Sequence, residues 1–456
     1  MDSTKPLLTV YVTNYNYGKY IEQCLESIIG QSFRDFELLI IDDGSTDNSS
    51  EVIDKYKNLD LLDITVIEQQ NRGLIVSNNI ALRIARGKYI VRVDADDYLH
   101  PDMLMQLVNK LEEDPRIALA FADYYLVNEQ GEIIAEEKRI TLSESNLKDR
   151  PAHGACTVIR KEVLIESGGY SEEFSCQDGY DLWLRIALKN RVEHLSLPLF
   201  YYRQHGKSLT RDVGRILDTR SRIIKKHSYD LKLDLLDHLA IVPVRDVDAE
   251  LALKEISGIS VLERTIKSIA TSELIKTIVV ATSSEEIIAA VEEIAVVSKS
   301  LLICRRPKQL GGMNQPIEKT VDYVLSKLSK NFDSIFIVSI EYPFRKDFYL
   351  DKALRTMYLF EAESVVSVVQ ESANFYTHSG SGLVPLNQNA SLRLEREFVF
   401  RETGGIHGIR QSAYALKKKI VADRSTFIIV DELSGLRASS PIGTRSVSLL
   451  FDRTES

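Results

Sequence analysis

Long apolar runs, each closed by an acidic or glycine-containing turn and followed by residues at helical spacing, leave this chain few folds to adopt. The first is LLTVYVTNYN, which leads through the polar NYNYGKY into the helical pattern IEQCLESIIGQ. Next come FELLIIDDGS, DITVIEQ, a helix around Leu74 to Arg86, KYIVRVDADD, a helix from Pro101 to Glu113, and ALAFADYYLV. A run that is apolar at nearly every position suits a parallel strand covered on both faces, whereas a half-exposed strand would alternate. Strand and helix in regular alternation predict a doubly wound, mainly parallel α/β sheet, with ligands at the carboxyl ends of its strands.

Near Arg211 the pattern changes to RILDTRSRIIKKHSYDLKLDLLDH, basic and helically spaced, which reads as a connection. A second α/β series starts near Asp237 with HLAIVPVRD and continues through KTIVVATSS, SLLICRRP, DSIFIVSIEYP, ESVVSVVQ and TFIIVDE. At 456 residues the chain exceeds what one core serves, so two domains are expected. They are residues 1–210 and 237–456, joined by a helical linker over 211–236. The second is another mainly parallel, Rossmann-type domain.

The net charge of −9 disfavours nonspecific nucleic-acid binding, which depends on Lys and Arg neutralising phosphates. No apolar run approaches the roughly 18 residues that span a bilayer, and MDSTKP lacks the order of a signal peptide. A cytoplasmic location follows. The basic stretch Arg220 to Lys226 offers peripheral contact with the inner face of the membrane, though a solvated helix face explains it as well. The four cysteines are scattered, with no CxxC pair and no histidine at zinc-ligand spacing, so neither a disulfide framework nor a zinc site is indicated.

Three acidic clusters fall at predicted strand ends or helix starts. Asp42 and Asp43 close the second strand, where a carboxylate can accept hydrogen bonds from a base or ribose; an Asx turn would use Asp-Gly-Ser equally well. The cluster DADD, Asp94 to Asp97, crowds carboxylates that repel one another, and a Mg²⁺ or Mn²⁺ ion is the usual reason to tolerate this. Helix capping explains Asp97 in part, but not three acids. In CQDGYDLWLRIA, Asp178 and Asp181 precede an apolar helical face. One acid suits a general base taking a proton from an attacking hydroxyl, and the other an N-terminal helix charge.

In order, VTNYNYGKYIEQCLESIIGQSFRDFELLIIDDGSTDNS, NRGLIVSNNIALRIARGKYIVRVDADD, HGACTVIRKEVLIESGGY, QDGYDLWLRIA and YYRQHGKSLT resemble the family 2 inverting glycosyltransferases of the GT-A fold. The resemblance covers the first domain nearly end to end. It implies that Thr13, Tyr15 and Asp42 line a nucleoside pocket with Asp43 close by, and that Asp94 and Asp96 form a DxD motif with Asp96 nearest the metal. It also implies that His205 approaches the metal or diphosphate, and that His153 and Gly154 face the acceptor. The donor would be a nucleoside-diphosphate sugar, UDP being the commonest base. The acceptor would be a hydroxyl of a glycan or a lipid- or protein-linked glycoconjugate. The chain departs from the family at the base, where EDYDLWLR becomes QDGYDLWLR; Asp178 is the first choice and Asp181 stays open.

The later segments AIVPVR, LERTI, IVVATSSEEI, RRPKQLGG, ESVVSVVQ, GGIHGIR and IIVDELSGL resemble the cytidylyltransferases that activate acidic sugars with CTP. Arg245 and Lys254 match basic positions of that family, but Asp246, Asp248 and Glu250 put negative charge where triphosphate would sit. Arg437, Ala438 and Ser439 replace its metal-binding Asp-x-Asp pair. The expectation is a catalytically inactive partner domain that serves packing, homo-oligomer formation or acidic-sugar recognition. Two alternatives stay open: a bifunctional enzyme that activates and transfers an acidic sugar, and a non-catalytic sugar-binding scaffold.

Overall fold

In the computed structural model the chain divides into two compact units, one of Met1–Asp212 with Ala373–Glu397, the other of Val213–Ser372 with Phe398–Ser456. The structure describes residues 5–57, 62–139, 154–174, 176–205, 212–294, 299–312, 315–328, 330–371, 375–378, 383–385 and 399–438. His153 and Ser439 lie outside them.

The first unit begins with β1 (Leu8–Asn14), α1 (Ile21–Ile29), β2 (Phe36–Asp42), α2 (Ser49–Asp54), β3 (Asp63–Glu68), α3 (Leu74–Ile84) and β4 (Tyr89–Asp94). It continues with β5 (Tyr98–Leu99), α4 (Met103–Glu113), β6 (Ile117–Val127), β7 (Ile133–Glu137), β8 (Val158–Arg160), α5 (Lys161–Glu166), α6 (Asp178–Ala187) and β9 (Arg191–Arg203). The expected α/β class with mainly parallel pairing is what forms. Strands run in the order β3-β2-β1-β4-β8-β6-β9-β5, with β7 beside β6. The first four are parallel, and every residue of β1 and β2 is buried, as their predominantly apolar runs lead one to expect, with Glu37 accepting from Thr9 and Arg86.

Because β1 has β2 on one side and β4 on the other, chain order reverses at the β1/β4 seam. That is the switch point where an open α/β sheet leaves a crevice at its strand ends. The pairing register puts Thr13 beside Asp94 and Asn14 beside Asp42 at that end. Beyond β4 the simple alternation stops: β8 runs antiparallel to both β4 and β6, while the long β9 runs parallel to β6. This mixed part brings α6 and the end of β9 to the crevice.

The second unit opens with α7 (Val213–His227), β10 (His238–Pro243), α8 (Ala249–Leu253), β11 (Glu255–Ile256), β12 (Ile259–Ser260), α9 (Val261–Ala270) and β13 (Ile275–Thr282). After these come α10 (Glu285–Glu292), β14 (Ser300–Arg305), α11 (Ile317–Lys327), β15 (Ser334–Val338), α12 (Phe348–Leu359) and β16 (Ser364–Glu371). The strand pair β17 (Tyr376–His378) and β18 (Leu383–Pro385) falls in the first unit's segment Ala373–Glu397, and the described elements of the second unit end with β19 (Val399–Arg410), α13 (Gln411–Lys417) and β20 (Ser425–Ile429). The second unit's main sheet has the order β14-β13-β10-β15-β19-β16-β20, parallel except for β19. Helix α7, read from sequence as part of a connection, packs on α12, and Leu217 joins this unit's core.

Candidate active site

The crevice floor is β1, β2 and β4. Thr13 is buried at the end of β1 with its hydroxyl 3.4 Å from Asp94 Oδ1, while Tyr15, two residues on, is 45% exposed. Asp42 and Asp43 are buried and heavily engaged. Asp42 accepts from Asn14 Nδ2 at 2.6 Å, Ser45 Oγ at 2.5 Å and Ser45 N at 3.1 Å. Asp43 accepts from Gln69 Nε2 at 2.6 Å, Arg72 N at 2.9 Å and Gly73 N at 2.7 Å. Both therefore staple turns at the crevice wall. These bonds are of the turn-forming kind that Asp-Gly-Ser also suits.

The DADD cluster sits where β4 ends. Burial pushes the Asp94 carboxyl up to about 6, Arg92 opposing the shift and Asp96 adding to it. Asp97 is held well above the usual carboxylate range by burial and by Asp96 and Asp94. It does not cap the following helix: its Oδ1 accepts from Arg203 N at 2.9 Å, and its Oδ2 is buried with no hydrogen-bond partner among the described residues. Asp96 accepts a hydrogen bond from His205 Nε2 at 2.9 Å, so the structure brings these two residues together. His205 is stacked on Tyr20 and meets Tyr17 edge to face, with ring centroids 5.5 and 5.6 Å apart. Burial and Asp96 raise the Tyr17 hydroxyl pKa, keeping it a neutral donor.

These donors suit a small hard cation in one particular way. Among the described residues no group of three or more His, Cys, Asp or Glu side chains gathers as a closed metal cage. Mg²⁺ and Mn²⁺ do not need one beside a diphosphate, since one or two protein ligands plus phosphate oxygens and water complete the shell. Asp96 and His205 meet that requirement, and the crowded acids around them are what a cation would relieve.

Before α6, Gln177 adopts a left-handed backbone with φ of 62° and turns the chain so that the helix starts at Asp178. Asp178 Oδ2 accepts from Arg92 Nη1 at 2.7 Å and from Asn78 Nδ2 at 3.2 Å. Asp181 is placed differently. It has no exposure and pairs through Oδ2 with Arg185 Nε and Nη2 at 2.9 and 2.8 Å, while Arg185 Nη1 binds the carbonyls of Ser167 and Gly169. The structure thus brings Thr13, Asp94, Asp96, His205 and Asp178 to one crevice, and puts Asp181 beneath it.

Sequence reading missed Arg92, Asn78, Tyr17, Tyr20 and Arg203. Arg203 Nε donates to Asp96 O and its Nη2 to Gln23 Oε1, each near the DADD turn, and the guanidinium lies over Tyr20 and Tyr98. The available signal was an arginine within the apolar strand YIVRV and another closing the apolar run LFYY. A buried charge needs a partner, and the nearby acids were the obvious ones.

Residues 9–168 match the family model described as glycosyl transferase family 2. An uncharacterized glycosyltransferase of Methanocaldococcus jannaschii is 32% identical over 206 residues, covering 44% of this chain and 71% of that protein. The chain belongs to glycosyltransferase family 2. The chondroitin synthase of Pasteurella multocida is 30% identical over 208 residues, 44% of this chain but 21% of that protein, so this chain matches only about a fifth of that relative's length. Among solved structures, Staphylococcus aureus TarS 1–349 in complex with UDP-GlcNAc is 22% identical over 48% of this chain and 66% of that one. Its TM-score of 0.42 is too low to bear on substrate or mechanism.

Proposed function

We propose that the first unit transfers a sugar from a nucleoside-diphosphate sugar to a hydroxyl of a glycan or glycoconjugate, by in-line displacement with inversion at the anomeric carbon. The supporting observation is the convergence, at one switch-point crevice, of a donor side formed by Thr13, Asp94, Asp96 and His205 and an acceptor-side carboxylate, Asp178. Family membership supports the reaction class. UDP is the base we assign, because it is the commonest donor in the family that the sequence resembles.

In this reading Tyr15 and Thr13 pack against the nucleoside, and Asp42 and Asp43 keep the wall in shape. A divalent cation held by Asp96 and His205 would supply positive charge to the departing diphosphate. Tyr20, stacked on the His205 ring, and Tyr17, edge to face against it, keep that ring aimed at Asp96. Asp178 takes the acceptor proton as the hydroxyl attacks, and holding both reactants in the crevice supplies the proximity. Asp181 keeps α6 in place through Arg185.

The second unit has a separate role, which we assign as a partner domain without nucleotidyl transfer. Arg437, standing where the cytidylyltransferase-like pattern expects a metal-binding acid, pairs with Glu341 at 2.7 Å. Arg245 pairs with Asp248 at 2.6 Å, so this arginine is already neutralised. CMP-sugar formation from CTP and an acidic sugar in an Asp96→Asn variant would refute this assignment.

The transfer reading is tested by incubating the full chain with Mn²⁺ and UDP-glucose, UDP-N-acetylglucosamine, UDP-galactose or GDP-mannose, and following the anomeric proton by NMR. An α-linked donor is expected to yield a β-configured product with one of them. A retained configuration contradicts the mechanism.

A further inference from the structure

Asp178 is held by one of its two oxygens only. Both of its contacts, Arg92 Nη1 at 2.7 Å and Asn78 Nδ2 at 3.2 Å, fall on Oδ2, and among the described residues nothing bonds to Oδ1. The Asp178 side chain is 11% exposed and that of Arg92 5%, so the clamp lies under the crevice surface. Arg92 reaches the donor side as well, its Nε lying 3.0 Å from Asp94 Oδ1 at an angle that makes an ion pair but no hydrogen bond. Asn78 is in turn tied through Oδ1 to the Tyr11 hydroxyl, itself bonded to the Tyr170 hydroxyl. None of these groups has much freedom.

Space for the clamp comes from two glycines. A Cβ on Gly154 would stand 3.0 Å from Arg92 Nη2 and 3.3 Å from Gly179 Cα, and a Cβ on Gly179 would stand 2.8 Å from Gly154 Cα. The glycine that separates QDGYD from the ordinary EDYD pattern is therefore the residue that lets the start of α6 lie on the segment before β8.

We infer that Arg92, with Asn78, is a positioning residue for the transfer reaction. It fixes the carboxylate of Asp178 by Oδ2 so that Oδ1 faces the acceptor hydroxyl, and it ties that carboxylate to the donor-side Asp94. The inference rests on Asp178 being the base. What the contact contributes is aim, and a misplacement of about 1 Å in such a group is worth on the order of 10²-fold in rate. Lysine in place of arginine keeps the charge but loses the planar fork that can address two carboxylates.

The test uses the full chain with Mn²⁺ and the donors named above, and measures release of free sugar to water, UDP affinity by calorimetry, and melting temperature. Arg92→Met is expected to lower release on the order of 10²-fold while UDP affinity stays within about threefold, and Arg92→Lys to recover about tenfold of the loss. Gly154→Ala, which removes no charge and only pushes on Arg92 Nη2, is expected to lower release with UDP affinity kept; it covers the case in which Arg92→Met fails to fold. Parallel loss of UDP affinity and release in these variants, or release unchanged, overturns the inference alone. A wild-type chain that releases sugar from none of the donors overturns the transferase reading, and the inference with it.

Discussion

Asp181→Asn separates the two acids of QDGYD most sharply. The Asp181 side chain is wholly buried and that of Arg185 is 18% exposed, and the two share contacts of 2.9 and 2.8 Å. Breaking one side of a buried pair leaves the other charge uncompensated, which costs about 3–5 kcal/mol. Arg185 keeps the carbonyls of Ser167 and Gly169, and asparagine can still accept one hydrogen bond, so the lower end, about 3 kcal/mol, applies. For a unit of this size each kcal/mol moves the midpoint by about 2–4 °C, giving a fall of about 6–12 °C in the first unit's transition. Differential scanning calorimetry reads that shift, and turnover measured well below the lowered transition reads the chemistry. The expected outcome is a destabilised protein with turnover within about threefold of wild type. An unchanged transition with turnover lost would show that Asp181 is the base and would refute the assignment to Asp178.

Asp178→Asn is expected to do the reverse, losing turnover by about 10²-fold or more while UDP affinity stays within about threefold, in kinetics and calorimetry run on one preparation. Gly179→Ala, whose Cβ would stand 2.8 Å from Gly154 Cα, is expected to slow turnover at least tenfold, far more than it lowers the melting point; equal activity would mean the glycine contact does not set the base. In the second unit His238 is fully buried, its Nδ1 accepting from Ser334 Oγ at 2.8 Å and its Nε2 donating to Leu233 O at 3.1 Å, and burial lowers its pKa. A histidine kept neutral by folding contributes stability that is present above its unfolded value, about 6.5, and is lost as pH falls from there toward the lower folded value. The second unit's melting point should therefore drop below about pH 6.5, and His238→Gln should flatten that slope; an identical slope in the variant contradicts it.

The parallel half of the first unit was legible because β1, β2 and β4 are buried on both faces and are apolar at most positions, while β3, at the sheet edge, was found from its place in the strand-helix alternation. The strand ends that carry Thr13, Asp42 and Asp94 followed directly. The rest of the unit was not legible by the same rule. β7 and β8 pair antiparallel, and β9, parallel to β6, has β5 against only Phe200 and Tyr201 on its other side, so Arg191–Arg203 mixes exposed and buried residues without a clean period. Among site residues, spacing could gather acids into clusters but could not divide labour within one. That Asp178 and Asp181, three residues apart, face the crevice and the core respectively depends on the left-handed turn at Gln177 and on Arg185 one helical turn later. Arg92 and Asn78 come from separate elements, and only the folded sheet brings them to the same carboxylate oxygen. His205 was expected to approach a metal or diphosphate by resemblance alone, and its contact with Asp96 stands on a ring stack that no spacing in NYNYGKY announces.

Calorimetric titration of UDP, GDP, dTDP, CMP and CTP into the full chain, with and without Mn²⁺, bears most directly on the claim that the live site lies in the first unit, and Asp96→Asn is the paired variant. The account predicts Mn²⁺-dependent binding of one nucleoside diphosphate, lost in Asp96→Asn. Binding of CMP or CTP that survives in that variant, with no nucleoside diphosphate bound by the wild type, would place the working site in the second unit and contradict it.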